Sequence, residues 1–151
     1  MTASAASTES QSAVAILGGR RALGRSVKHE LDIDRAIHEG FNWTALEQFK
    51  RKLDLTNQAL AFLTATSEKT VERWFQRRDR ITPAASDRLY RAAKVVALAE
   101  QVFNDAEQAR EWLRAPQHGL GDRIPFELLA TDAGISEVDS LLRRLQFGFY
   151  A

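Results

Sequence analysis

Glu111-Trp-Leu-Arg-Ala-Pro-Gln-His-Gly-Leu-Gly-Asp-Arg-Ile-Pro-Phe-Glu-Leu-Leu129 is the stretch from which the rest of this 151-residue chain is read. Trp112 and Leu113 close a helical run. Pro116 forbids its continuation, because proline has no N–H to donate and its ring clashes with the preceding turn. Gly119 and Gly121 open backbone conformations closed to other residues. Pro125 suits the first position of a new short helix carrying Phe126, Leu128 and Leu129. On composition alone the stretch is a helix-loop-helix corner.

Working outward, Ser136-Glu-Val-Asp139 has a capping-box pattern and predicts a helix with Val138, Leu141, Leu142 and Leu145 as its apolar stripe and Gly148 as its end. Phe149, Tyr150 and Ala151 follow. An apolar, aromatic end is unusual for a tail without a task; the plain alternative is that it folds back and caps the local core. Upstream, Thr82-Pro83 signals the start of a long helix to about Phe103, with Leu89, Ala92, Ala93, Val96, Ala99 and Phe103 at three- and four-residue spacing. Its small side chains allow another helix to approach, so it is expected to join two halves and to offer a candidate dimer seam. Asn104 ends it, and Asp105 caps a further helix to Arg114.

The N-terminal half divides differently. Residues 1 to 11 are Ala, Ser and Thr with a single charge, which predicts a disordered tail, extended in the domain reading to residues 1–19. A basic group, Arg20, Arg21 and Arg25, follows Gly18-Gly19; a solvated linker is the expected role, with a DNA-contacting arm as the alternative. Ser26 to Glu39 reads as a helix with Val27, Leu31, Asp34, Ala36 and Ile37 on an imperfect face, closed by Gly40. Asn42 starts another, whose Trp43, Leu46, Phe49 and Leu53 recur at helical spacing and are read as core. Leu55 to Trp74 holds two short helical patterns with a polar break between them.

These residues carry two resemblances. The order W-L-x-x-P, L-G, P-x-x-L-L, T-x-x-G, placed here at Trp112, Leu113, Pro116, Leu120, Gly121, Pro125, Leu128, Leu129, Thr131 and Gly134, resembles the toxin-binding domain of Xre/MbcA/ParS-type antitoxins. The likeness runs on through Val138, Leu141, Leu142 and Gly148, and back through Ser86-Asp-Arg-Leu-Tyr-Arg91 and Ala99. Asp122 departs from it, standing where a second glycine is common. The stretch from Leu55 to Trp74 resembles the helix-turn-helix of Xre-type regulators, with Ala61 at the helix crossing, Ser67 as N-cap and Val71 turned to the core. Here too there are departures. Ala65 occupies the turn position that is often glycine, Thr66 follows in place of an aliphatic residue, and Glu68 and Glu72 lie where they would repel phosphate.

What the resemblances imply is an all-α protein with a helix-turn-helix domain over residues 20–81 and a toxin-binding domain over residues 82–151, acting as the antitoxin of a type II toxin-antitoxin module. Its implied partner is a RES-domain toxin, of a class that consumes NAD or transfers ADP-ribose, blocked at its active site by the C-terminal region. Operator DNA would be met by Ser67, Lys69, Thr70 and Arg73 at base edges and by Gln76, Arg77, Arg78 and Arg80 at phosphates, the chain working as a homodimer within a larger complex. The toxin would be met by Trp112, Pro116, Leu120, Gly121, Arg123, Pro125, Leu128, Arg143, Arg144, Gly148, Phe149, Tyr150 and Ala151. Two rivals stay open: a stand-alone helix-turn-helix regulator whose C-terminal half dimerises or binds a ligand, and a protein-interaction module that has lost DNA binding.

Composition limits these readings from outside. Hydrophobic residues at 44% and charged residues at 27% are globular values. With no cysteine, disulfides, thiolate chemistry and cysteine zinc sites are excluded. His29, His38 and His118 lack metal-ligand spacing, and no phosphate loop, nucleophile elbow or paired-carboxylate signature is present, so neither an enzyme, a metal nor a cofactor of its own is expected. No apolar run spans a bilayer and no leader pattern is evident, so a cytoplasmic protein without membrane contact is expected. The net charge of +1 hides an asymmetry, because residues 1–99 carry 16 Lys/Arg against 11 Asp/Glu while residues 100–151 carry 5 against 9. A basic half suits an anionic polymer, and an acidic half suits a protein partner better.

Overall fold

Ten α-helices and one 3-10 turn follow one another along residues 4–148, the part of the chain that the computed structural model describes. They are α1 (Thr8–Ile16), α2 (Arg20–Leu23), α3 (Glu30–Glu39), α4 (Trp43–Leu53), α5 (Asn57–Thr64), α6 (Glu68–Arg77), α7 (Pro83–Phe103), α8 (Ala106–Arg114), the 3-10 turn (His118–Leu120), α9 (Pro125–Leu128) and α10 (Asp132–Gln146). Among the described residues, extended pairing is confined to the isolated bridges Ala5–His29, Asn42–Arg80 and Gln117–Arg123, so the architecture is all-α. No helix among them is long and apolar enough to cross a membrane.

The helix starts follow from side-chain oxygens that satisfy otherwise orphaned amides. Ser7, Thr56, Ser67, Thr82 and Thr131 each accept from the N–H three residues on, and Asp105 accepts from Glu107 and Gln108. The ends are less orthodox. Asp54, Ala65, Arg78 and Asn104 stop α4, α5, α6 and α7 in the left-handed conformation without being glycine.

Helix α7 is the spine. It packs against α1, α3, α5, α8 and α10, and its buried Ala92, Ala93, Val96 and Ala99 let those neighbours come close. Its polar residues also tie it to its neighbours. Ser86, fully buried, accepts from the Phe41 N–H and donates to the Thr82 carbonyl, both at 2.8 Å. Arg88 donates to the Ala130 carbonyl at 2.7 Å, the Tyr90 hydroxyl donates to Ser10 at 3.0 Å, and Arg91 pairs with Asp132 at 3.2 Å. One apolar cluster therefore runs unbroken from Ala13 to Leu142.

Four expectations are corrected. Residues 8–16 form a helix rather than a disordered tail: Ser10, Ala13, Val14 and Leu17 recur at helical spacing and are buried against the spine, a stripe too poor in large side chains to show in composition. The basic group is not a linker, since Arg20 and Arg21 begin α2 and the following Ala22 and Leu23 are buried. Helix α3 begins at Glu30 rather than Ser26, because the Asp32 carboxylate accepts from the N–H groups of Lys28 and His29 at 3.0 and 2.9 Å; its inner residues are Ile33 and Ala36, and Leu31 is 54% exposed. Helix α10 begins four residues before the capping box read at Ser136, because Thr131 caps it first.

Candidate interaction surfaces

Helices α5 and α6 cross as a helix-turn-helix around buried Leu60, Ala61, Leu63, Val71 and Trp74. The turn is closed by Ala65 at φ +56°, whose N–H returns to the Phe62 carbonyl at 3.3 Å, and by the Thr66 N–H on the Ala61 carbonyl at 3.0 Å. An alanine therefore takes the backbone that a glycine takes more cheaply. With Val71 and Trp74 inward, the outward face of α6 presents Lys69, Arg73 and Gln76, flanked by Glu72 and Arg77, all exposed. No ion pair among the described residues occupies Lys69, Arg73 or Arg77.

The other residues expected beside them are held differently. Ser67 is exposed, but its hydroxyl accepts from the Thr70 N–H at 3.0 Å and meets the half-buried Thr70 hydroxyl at 2.9 Å, so both serve the cap. Arg78 leaves the outward face. Its guanidinium lies 5.7 Å from the ring centre of Trp43, which stands edge-on to Phe75. Arg80 follows in the loop to α7, 4.0 Å from Glu39 and paired through its backbone with Asn42.

In the C-terminal half the loop after α8 is built by backbone. The Gln117 N–H reaches the Arg123 carbonyl and the Asp122 N–H reaches the Gln117 carbonyl, both at 3.0 Å, while Gln117 also donates its side-chain amide to Trp112 and Ala115 carbonyls at 2.9 and 3.1 Å. Gly121 and Asp122 are consecutive left-handed residues at φ +64°, so the aspartate adopts the conformation of the glycine it replaces. Aspartate tolerates this better than most side chains. Gly119 packs closely on Leu141, whose Cδ1 would lie 2.9 Å from an added Cβ and would have to shift to admit it. At Gly134 a Cβ would run into the Leu128 carbonyl, and its N–H donates to the Thr131 hydroxyl at 3.0 Å. The T-x-x-G pair is thus a helix cap and a backbone crossing in one.

Trp112 is half-buried with its ring centre 5.7 Å from Phe103. Pro116, Gly121, Arg123 and Arg144 are exposed, and Leu120 and Leu128 are half-buried against the core. Arg123 lines a shallow groove with Phe62 and Phe126. Pro125 is buried at the start of α9. Arg143 is already engaged, pairing with Asp139 at 2.8 Å and with Glu9 of α1 at 3.1 Å, contacts that hold it further on the charged side. Gly148 is exposed with φ +77° after the end of α10. Phe149, Tyr150 and Ala151 lie outside the described residues.

Two exposed aromatics escaped the sequence reading. Phe147 is 72% exposed and Phe62 52%. Phe147 falls on the outer face of α10, in line with Ser136, Ser140 and Arg143, and a helical wheel carried past Leu145 would have found it. Among the described residues no group of His or carboxylate side chains is arranged to hold a metal ion.

Comparison with known proteins divides the chain at the same spine. Residues 32–94 match the antitoxin Xre-like helix-turn-helix domain, and residues 98–148 match the antitoxin Xre/MbcA/ParS C-terminal toxin-binding domain. The chain is 32% identical over 124 residues to a protein of Pseudomonas putida named antitoxin Xre, covering 80% of this chain and 74% of that protein. Proteins of the same name from Yersinia enterocolitica and Photorhabdus laumondii are 28% and 23% identical over 117 residues, covering 77% of this chain and 79% of each relative.

Proposed function

The chain belongs to the Xre antitoxin family, and from that premise we propose that it neutralises a RES-domain toxin by covering its active site with the C-terminal region, and represses its own operon through α5 and α6. The observation that carries the neutralisation is the outer end of α10. There α10, set by the Thr131 cap and the Gly134 crossing, leads to Phe147 and Gly148, both exposed. Binding energy concentrates in aromatic side chains that can be fully desolvated, and the exposed Phe147 is such a group. NAD, in this account, is the toxin's substrate and never touches this chain. The domain division at residues 20–81 and 82–151 is proposed as a division of labour about one shared core.

Co-expression with the product of the adjacent gene tests this directly. A stable complex and restored growth are expected from the full chain, while removal of Gly148 to Ala151 should leave a folded protein that no longer protects. Undiminished protection by the shortened chain would remove the C-terminal end from the mechanism.

For DNA, the exposed row Lys69, Arg73, Gln76 and Arg77 supports a dimer reading paired half-sites, because one small helix-turn-helix makes too few contacts alone. Arg73→Ala with Arg77→Ala should weaken operator binding and reduce the salt dependence by about 0.9 per phosphate contact removed. Unchanged gel shifts would show that α6 is not the reading helix.

A further inference from the structure

We propose that Arg20 and Arg21, on the short helix α2, form a second phosphate-binding patch that extends the DNA contact beyond α6. The inference rests on the reading of α5 and α6 as the DNA-binding motif.

Both side chains are exposed on a helix whose next two residues, Ala22 and Leu23, are buried, so the guanidinium groups are carried on a fixed element rather than a loose arm. No ion pair among the described residues uses either of them. The third arginine of the group behaves otherwise, since Arg25 is taken up by Glu39 at 2.6 Å. Two exposed arginines without an ion pair among the described residues are open to an anion, and guanidinium matches phosphate with paired N–H donors.

Their place in the fold selects DNA as the anion. The carbonyl of Ala22 accepts from the Asn42 N–H at 2.8 Å, and Asn42 pairs with Arg80 in the loop that leaves α6. The Arg80 guanidinium lies 4.0 Å from the point where a side chain on Gly24, the residue that ends α2, would begin. Next along the chain from Asn42, Trp43 holds Arg78. Helix α2 is therefore tied through Asn42 to the loop that leaves α6, so Arg20 and Arg21 stand on an element fixed to that loop. Because α2 is already ordered, little conformational freedom is lost when it meets a phosphate.

The test uses the full-length chain, fluorescence anisotropy, a duplex carrying the sequence upstream of its own gene and a scrambled duplex, over a salt series. The Arg20→Ala/Arg21→Ala variant should keep the wild-type thermal midpoint, bind both duplexes about tenfold more weakly, and show a salt slope shallower by about 1.8, for two phosphate contacts. Arg20→Lys/Arg21→Lys should keep most of the slope. Wild-type affinity and slope in the double-alanine variant, beside a weakened Arg73→Ala, would overturn the patch and leave the DNA reading standing. Failure of the wild type to bind either duplex would overturn both. Loss of toxin co-purification with DNA binding intact would assign the patch to an acidic protein surface and refute the proposal.

Discussion

Ala65 holds its methyl group in a left-handed turn at φ +56°, where the Cβ crowds the following carbonyl. Relief of that strain, about 1–2 kcal/mol, exceeds the roughly 0.4–1 kcal/mol that glycine loses through its more mobile unfolded state. Ala65→Gly should therefore raise stability by about 0.5–1 kcal/mol, a gain of a few degrees in thermal midpoint, and a lower midpoint would show that the turn is not strained. Gly134 is the opposite case, since any side chain meets the Leu128 carbonyl. Gly134→Ala should cost about 2–3 kcal/mol by denaturant unfolding, as overpacking against backbone does. Asp32 acts through its charge: the Lys28 and His29 N–H groups hold its carboxyl below the usual range. A depressed value stabilises the fold above the unfolded pKa and stops doing so as pH falls through the folded one. Asp32→Ala should thus be less stable than wild type at neutral pH, with the gap closing below about pH 4.

At the scale of elements, the Ser86-Asp-Arg-Leu-Tyr-Arg91 segment acts as wiring. Ser86 serves the α3–α4 junction, Arg88 the turn before α10, Tyr90 the N-terminal helix and Arg91 the first turn of α10. Removing the Ser86 hydroxyl leaves the Phe41 N–H buried without a partner, an orphaning that costs about 1–3 kcal/mol. Ser86→Ala should lower the unfolding midpoint accordingly without altering the exposed face of α6, so salt-dependent DNA binding below the transition should match wild type. A variant as stable as wild type would mean that water replaces the hydroxyl.

For the whole molecule, the decisive addition is α1, which lies along α7 and reaches α10 through Glu9 and Arg143. The ion pair is half-exposed and worth under about 1 kcal/mol. Burial of Val14 and Leu17 is the larger contribution, about 3–5 kcal/mol together as an upper estimate. Glu9→Gln should consequently be nearly silent in denaturant unfolding, whereas deletion of residues 1–17 should unfold both halves at lower denaturant in a single transition, since they share a core. Separate transitions for the two halves would contradict that sharing.

Local chemistry was legible in the chain itself. Thr82-Pro83, Asp105 and the aliphatic spacing of α7 set a long helix with definite ends, and Ser67 with Val71 set the entry and inner face of α6, because caps and periodicity act over three or four residues. The order of Trp112, Pro116, Gly121 and Pro125 carried the family for the same reason. Tertiary structure decided the rest. Ser10, 2% exposed, is buried where the Tyr90 hydroxyl, eighty residues away, donates to it; Thr131 caps α10 ahead of Ser136, with Gly134 letting the helix cross the Leu128 backbone; and Arg143, paired with Asp139 on its own helix, is also met by Glu9 from a helix that composition disguised as a tail. The first and third join groups eighty or more residues apart, whose free energy appears only when the spine brings them together, and the second needs the backbone of α9 in place beneath α10.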